Sequence, residues 1–253
     1  MKVTLISVVV TLVALLSPAG SVDACSCAEA APCEAFGSAS AVFIGRMLGG
    51  TEKYREYTEN GITVSLETGN VRFEVQESFK GVSATEVTVL AMSMKGTSCE
   101  GMAALARGRT YVVYAGVLQS GELSIGPCSP TKALDKAKAD LEFLRTLPQK
   151  GSGGRLYGRV AYDTVSRESL PLPNVTVVIE DEAHNRIEVK TDSEGNFEAR
   201  GLQPGKYVVN PLLPENIVAR DRYQQNRGVE VFDQGCSRAL FWVNSSSAAL
   251  RVV

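Results

Sequence analysis

Cysteine placement is the feature that most constrains how this chain can fold. Three of its six cysteines fall within Cys25–Cys33, directly behind an apolar segment, and the other three are spread from Cys99 to Cys236. The chain has no C-x-x-C pair and one histidine, so neither a zinc ribbon nor a thiol redox site is indicated. An even number of cysteines behind an export signal predicts disulfide bonds.

The segment before Cys25 has the pattern of such a signal. Lys2 precedes an apolar run, Val3–Leu16, which is followed by S-P-A-G and then by S-V-D-A ending at Ala24. This is a charged start, an apolar stretch and a small-residue cleavage site, and the run is too short to be a comfortable membrane span. We expect residues 1–24 to be removed, the mature chain to begin at Cys25, and the protein to be secreted to the extracellular space or periplasm without a transmembrane segment.

One stretch reads as a linker between domains. Residues 147–154, L-P-Q-K-G-S-G-G, are dense in Pro, Gly and Ser and lack apolar periodicity. We therefore expect a first domain over 25–147, a linker over 148–154 and a second domain over 155–253. Lysine and arginine number 26 against 28 acidic residues, so composition indicates no basic region and no nucleic-acid partner.

The first domain mixes strand and helix patterns. Apolar, β-branched or aromatic segments bounded by polar clusters predict four strands: Ala41–Met47, Val71–Phe79, Glu86–Leu90 and Thr110–Val117. The polar region 49–69 predicts a long hairpin or loop. A helix is expected over 129–147 with Ser129 as its N-cap, and a shorter one over 32–39. A small β-barrel with flanking helices fits this count.

The second domain reads as almost purely β. Seven short apolar segments alternate with Gly, Pro and Asp turns and show no helix signal: G-R-V-A-Y-D, P-N-V-T-V-V-I-E-D, R-I-E-V-K-T, N-F-E-A-R-G, K-Y-V-V-N-P, V-E-V-F-D and A-L-F-W-V-N. This spacing predicts a seven-stranded β-sandwich. The whole protein is therefore expected to be mainly β.

Particular residues link the first domain to a known family. They are the C-x-C start at Cys25–Cys27, Pro32, Ala35–Phe36, the strand from Ala41 to Gly45, V-Q-E-S-F-K-G at 75–81, Cys99 after Thr97–Ser98, and Cys128. In these features residues 25–147 resemble the netrin-like module of the tissue inhibitors of metalloproteinases. The resemblance implies an OB-like five-stranded barrel with disulfides Cys25–Cys99 and Cys27–Cys128. Cys33 and Cys236 are then left over, and we hypothesise that they pair across the linker.

The same resemblance implies an activity for the N-terminus. The α-amino group and carbonyl of Cys25 would chelate the catalytic zinc of an extracellular metalloprotease, Ser26 would enter its specificity pocket, and Thr97 and Ser98 would add contacts. A catalytic zinc keeps one position for water, and an α-amino group with a pKa near 8 can lose its proton to the metal at neutral pH.

Two other uses of the N-terminus stay open. The C-x-C start can be a staple for an extracellular or cell-surface binding module that inhibits no protease, because fold does not fix function. The sequence V-D-A-C also stands where a lipid anchor on Cys25 would be attached, and acylation would block the amine. With one histidine and no catalytic motif, we expect no enzyme, no cofactor and no metal site of the protein's own.

The second domain resembles the regulatory-type β-sandwich found beside some carboxypeptidases and related in shape to transthyretin. The segments that carry this are G-R-V-A-Y-D, P-L-P-N-V-T-V-V-I-E-D, T-D-S-E-G-N-F-E-A-R-G-L-Q-P-G-K-Y-V-V and G-C-S-R-A-L-F-W-V. His184 is expected in a surface turn, and the acidic run Glu180–Glu182 is either a solvated face or a calcium site. Trp242 is expected in the core rather than on a carbohydrate-binding surface.

Overall fold

The computed structural model describes residues 27–59, 62–94, 105–147, 152–163, 169–219 and 227–245. Within these ranges the protein is mainly β, as expected, with two α-helices and a turn of 3-10 helix at Leu134–Lys136. The helices are α1 (Pro32–Ser38) and α2 (Lys138–Leu144). The strands up to residue 147 are β1 (Ala41–Glu59), β2 (Ile62–Lys80), β3 (Glu86–Met94), β4 (Thr110–Val117), β5 (Leu123–Ile125) and β6 (Lys132–Ala133).

The first five strands close into a barrel. They follow the order β1-β2-β3-β5-β4, and β4 pairs back onto β1, while β6 lies outside the closed ring beside β4. All these pairings are antiparallel except β3 with β5. The expected five-stranded barrel is thus confirmed, and we call residues 27–147 the barrel half.

The start of β1, Ala41–Gly45, and the central residues of β4 are buried on both faces. One face of β1 points into the barrel, where Phe43 and Phe73 meet edge to face at 5.7 Å. The other face carries Val42, which packs with Phe36 of α1 and Leu144 of α2 in a second apolar cluster. Because each face of these strands has its own apolar cover, their sequences read as continuous apolar runs rather than alternating ones.

Two expectations for the barrel half need correction or extension. The helix expected over 129–147 is replaced by β6, the 3-10 turn and the shorter α2. Ser129 is not an N-cap, because its hydroxyl donates to the carbonyl of Tyr114 at 2.9 Å and so holds the segment against β4. Residues 49–59 and 62–69 of the polar region pair as the continuation of β1 and β2, which fits the hairpin that was one of the two expected alternatives.

The remaining strands form a sandwich of two sheets, here called the sandwich half (residues 152–245). They are β7 (Gly154–Tyr162), β8 (Leu170–Pro171), β9 (Thr176–Asp181), β10 (Arg186–Lys190), β11 (Asn196–Leu202), β12 (Gly205–Leu212), β13 (Ile217–Ala219), β14 (Arg227–Val231) and β15 (Cys236–Ser245). One sheet has the order β10-β9-β12-β14 and the other β11-β7-β15-β13, with β8 beside β7. All seven expected strands are present. The additional β8 and β13 are too short to give a sequence pattern.

The sandwich core is apolar and is filled from alternate strand positions. Leu156 and Val160 of β7 point inward with Phe197 of β11 and Phe241 of β15. β7 and β15, the first and last strands of this half, pair in parallel from Arg155–Cys236 to Tyr162–Val243. No helix within the described ranges is long and apolar enough to cross a membrane.

Two turns of the sandwich half share one design. Asp181 Oδ1 accepts hydrogen bonds from the backbone N–H of Ala183 and Asn185, and Asp192 Oδ1 accepts them from Glu194 and Asn196. The residue before each asparagine has positive φ, 63° at His184 and 75° at Gly195. Aspartate at this place satisfies turn N–H groups that no strand partner reaches.

Candidate functional site

The residues expected to inhibit a protease lie outside the described ranges. These are Cys25, Ser26, Thr97, Ser98 and the bridging partner Cys99. The first described residue, Cys27, is bonded to Cys128 with a Cα–Cα distance of 5.4 Å, which is the pair that the family resemblance implied. The chain is therefore fixed to the barrel two positions after Cys25.

A second disulfide connects the two halves of the protein. Cys33 of α1 is bonded to Cys236 at the start of β15, with a Cα–Cα distance of 5.1 Å across 203 positions of sequence. This is the pair hypothesised across the linker. Cys236 is only 2% exposed. The bond therefore lies within a packed contact between α1 and the sandwich.

Glu34 is the polar centre of that contact. Its Oε1 accepts a hydrogen bond from the hydroxyl of Tyr157 at 2.9 Å and lies 3.2 Å from Nε of Arg238. Its Oε2 accepts a hydrogen bond from the backbone N–H of Ala31 at 3.0 Å, which caps the start of α1. Burial, followed by the hydrogen bond to Glu34, raises the pKa of Tyr157. We call Cys33, Glu34, Tyr157, Cys236 and Arg238 the joint.

Two glycines let the halves approach closely beside the joint. A Cβ on Gly235 would stand 2.5 Å from Cα of Gly37, and one on Gly37 would stand 3.2 Å from the ring of Phe232. Nζ of Lys80 donates to the carbonyls of Phe36 and Gly37 near the end of α1, both at 3.0 Å. Both ends of the short helix are therefore held by side chains.

The sheet face next to the joint is rich in arginine. Arg155 and Arg159 of β7 point away from the core, with Arg200 of β11 and Arg238 of β15 on the neighbouring strands. We call these four side chains the arginine face. Arg155 Nε lies 2.7 Å from Oε1 of Glu198, and Arg200 contacts the same oxygen. Partial burial opposes ionisation of Glu198, but the hydrogen bond from Arg200 and the charge of Arg155 hold its pKa below the usual range.

The barrel half contains a buried polar cluster instead. Asp140 is 3% exposed, accepts a hydrogen bond from the hydroxyl of Tyr114 at 2.8 Å, and lies 3.0 Å from Nζ of Lys132. A cavity of about 230 Å³ near Lys132 is also lined by Arg109, whose guanidinium is paired with Asp135 at 2.9 Å. Because both cations already have carboxylate partners, we assign this cluster to holding α2 and β6 against β4.

Other residues singled out in the sequence have ordinary surroundings. His184 is in the expected surface turn, with Nδ1 2.7 Å from Glu180, and within the described ranges no three potential metal ligands are grouped to hold an ion. Glu74 of β2 forms an ion pair with Arg46 of β1 at 2.9 Å.

The expectation for Trp242 is wrong. Phe241 and Val243 point inward and are 1% and 0% exposed, so the alternation of β15 directs Trp242 to the outer surface, where it is half-buried. Sequence reasoning also missed Glu34, Tyr157 and Arg238. A local signal existed in β7, where Arg155, Tyr157 and Arg159 recur at every second position and so share one face of a strand.

No protein-family model and no curated protein matches the chain. Among solved structures, the Bacillus anthracis TIE protein is 12% identical with a TM-score of 0.31, and the match covers 81% of this chain and 34% of that one. The minor pilin GBS52 of Streptococcus agalactiae is 12% identical with a TM-score of 0.33, covering 82% and 83%. The pilus 2b backbone protein of group B streptococcus is 12% identical with a TM-score of 0.30, covering 84% and 80%. Values this low establish neither family nor function.

Proposed function

We propose that the mature protein is an exported, non-enzymatic binding or structural module whose two halves act as one rigid unit. The observation that carries this proposal is the joint, where a disulfide, a shared carboxylate and a pair of close-packed glycines hold α1 against the sandwich. Ordinary contacts between domains leave relative motion as the default. A disulfide bond within such a contact restricts the relative motion of the two halves. This is expected of a protein whose function requires a fixed shape.

The cysteines support the proposed location. Cys27, Cys33, Cys128 and Cys236 are all disulfide-bonded, which fits an oxidising compartment and not the cytosol. We accordingly propose removal of residues 1–24 and secretion to the extracellular space or periplasm. We also propose that the two halves are the domains 25–147 and 155–253, joined by 148–154.

Inhibition of a zinc metalloprotease through Cys25 is the second candidate, and the Cys27–Cys128 bond favours it. That bond fixes the backbone two positions from the α-amino group that would chelate zinc. A chelating group held in place loses little conformational freedom on binding, which favours affinity. The inhibitor proposal therefore requires a free α-amino group on Cys25, whereas the module proposal does not.

One pair of proteins separates the two proposals. The mature chain and a matched chain with one additional alanine before Cys25 would be tested for retention on the surface of the producing cells and for inhibition of secreted zinc metalloproteases. We expect both chains to be retained equally and neither to inhibit. Inhibition by the mature chain that the added alanine abolishes would overturn the module proposal in favour of chelation through Cys25.

The intact mass of the naturally exported protein completes this test. A chain starting at unmodified Cys25 leaves the amine free, so a lack of inhibition then argues directly against chelation. A lipid adduct on Cys25 would block the amine and make the protein an anchored module. An absence of cell-surface retention by both chains, together with an absence of inhibition, would contradict both proposals.

A further inference from the structure

The arginine face brings together charges that are scattered in the sequence. The register places Arg200, Arg155 and Cys236 side by side on β11, β7 and β15, and one step along it places Glu198, Tyr157 and Arg238 side by side. The next step places Asn196, Arg159 and Leu240 together. Four arginines, no lysine and one glutamate therefore occupy this outer surface between Gly154 and Val160.

Positive charge exceeds negative charge on this face. Glu198 is shared by Arg155 and Arg200, and Glu34 from α1 approaches Arg238. Arg159 donates Nε to the backbone carbonyl of Glu194 at 3.0 Å, and its charge helps to lower the pKa of the nearby Asp192 carboxyl. Four guanidinium groups thus meet three carboxylates, a surplus of one positive charge on a protein whose formal net charge is −2.

The spacing of the arginines favours an extended ligand over a small one. Arg155 and Arg159 are four positions apart on one strand, a separation of about 13 Å, whereas strand neighbours such as Arg155 and Arg200 are about 5 Å apart. Arg155 and Arg200 both contact Glu198, whereas Arg159 and Arg238 have other partners, so the four side chains do not share one point. A partner that satisfies several of them must carry repeated negative charges along an extended chain.

We infer that the arginine face binds an anionic polysaccharide through its carboxylate or sulfate groups. Guanidinium groups pair with such planar or oxygen-rich anions through two parallel hydrogen bonds, which lysine cannot form. A polymer with about one charge per sugar suits a face with a modest surplus of positive charge. Duplex DNA, with one charge per ~1.7 Å, demands a denser array of cations. This inference rests on the proposed binding module and names the class of its ligand.

Two double variants test the inference in the full mature chain. R159Q/R200Q removes two charges from the face without touching Glu34, and Arg200 is 75% exposed. R186Q/K206Q removes two charges from the opposite sheet, where both side chains are also exposed, and serves as the matched control. Binding to polygalacturonate, dextran sulfate and neutral dextran would be measured by affinity electrophoresis at two salt concentrations.

We expect the mature chain to bind at least one of the two anionic polymers and not to bind neutral dextran. Binding to the anionic polymer should be weaker at the higher salt concentration. R159Q/R200Q is expected to weaken binding about tenfold, and R186Q/K206Q less than twofold. Equal losses in both variants, no binding to either anionic polymer, or tighter binding to single-stranded DNA or anionic vesicles would overturn the inference. Cell-surface retention that survives in R159Q/R200Q would leave the proposed module function standing while the polysaccharide inference fails.

Discussion

Asp140 in the barrel half is 3% exposed and faces Tyr114 and Lys132, whereas the buried polar residues described in the sandwich half are the uncharged Thr191 and Ser237. The sandwich keeps its charges outside, on the arginine face and in its aspartate turns. In the barrel half, Asp140 joins α2 to β4 through Tyr114 and to β6 through Lys132. The nine strands of the sandwich half pack around an apolar core and show no such cluster among the described residues. Five changes test the contrast.

The largest effect is expected where the halves meet. C33S/C236S should lower the free energy of unfolding by about 4 kcal/mol, because the bond closes a loop of 203 positions. Trp242 is the chain's single tryptophan, so its fluorescence in a urea titration reports on the sandwich half. We also expect faster proteolysis between residues 147 and 154. C27S/C128S is the matched control, since it removes a bond within the barrel half, and equal cleavage in both variants would contradict a special role for the joint.

The buried carboxylate should give the next largest effect. Asp140→Ala leaves Lys132 and Tyr114 without their partner and should cost about 3 kcal/mol of folding free energy. The loss should appear in far-ultraviolet circular dichroism before it appears in Trp242 fluorescence. Asp135→Ala removes an exposed partner of Arg109, and the cost should be much smaller because solvent screens this pair. Similar costs for the two variants would contradict the contrast between the halves.

The two aspartate turns differ in the space available to a side chain at the residue with positive φ. Gly195 has φ 75° and a Cβ there would stand 2.4 Å from the carbonyl oxygen of Val160, whereas His184 holds the same conformation with its side chain in solvent. Gly195→Ala should therefore cost about 2 kcal/mol, while His184→Ala should leave Tm almost unchanged. Thermal unfolding of both variants checks this, and equal shifts in Tm would count against it.

Alkaline pH should act on the barrel half. Burial and the neighbouring Asp140 raise the pKa of Tyr114 well above its usual value, so the folded state keeps a proton that the unfolded chain loses above pH 10. Stability from this group is complete below pH 10 and should fall by about 1 kcal/mol between pH 10 and 11. Tyr114→Phe should flatten that limb of the stability profile. An unchanged slope would show that other groups cause the loss.

Acid should act on the turns of the sandwich half, with the smallest effect. The hydrogen bonds from Asn185 and from Asn196 lower the pKa of Asp181 and Asp192, respectively, below 3.8. Their contribution is therefore present above the ordinary value and is lost as pH falls through the lowered ones. D181N/D192N should reduce the loss of stability measured between pH 4 and 2. A steeper loss in this variant would contradict the assignment.

Much of the fold could be predicted because local patterns decide it. The strand predicted over Thr110–Val117 has the same ends as β4, because an apolar, β-branched run bounded by polar residues indicates a strand. The helix expected at 129–147 was shortened because Ser129 and Thr131 bond to the backbone of β4, a tertiary contact that periodicity does not encode. The arginine face escaped prediction for the same reason. Composition averages charge over the chain, whereas strand register concentrates it on one surface.

The parallel pairing of β7 with β15 also sets an order of events during synthesis. The sandwich half cannot close until β15 has emerged, and β15 ends at Ser245, so the barrel half is complete much earlier. During that interval the native partner of Cys33 is absent, whereas Cys99 and Cys128 have already been synthesised. Premature bonds would have to be exchanged by thiolate attack on a disulfide. The first helix therefore obtains its native disulfide partner only when the last cysteine of the sequence, Cys236, has been synthesised.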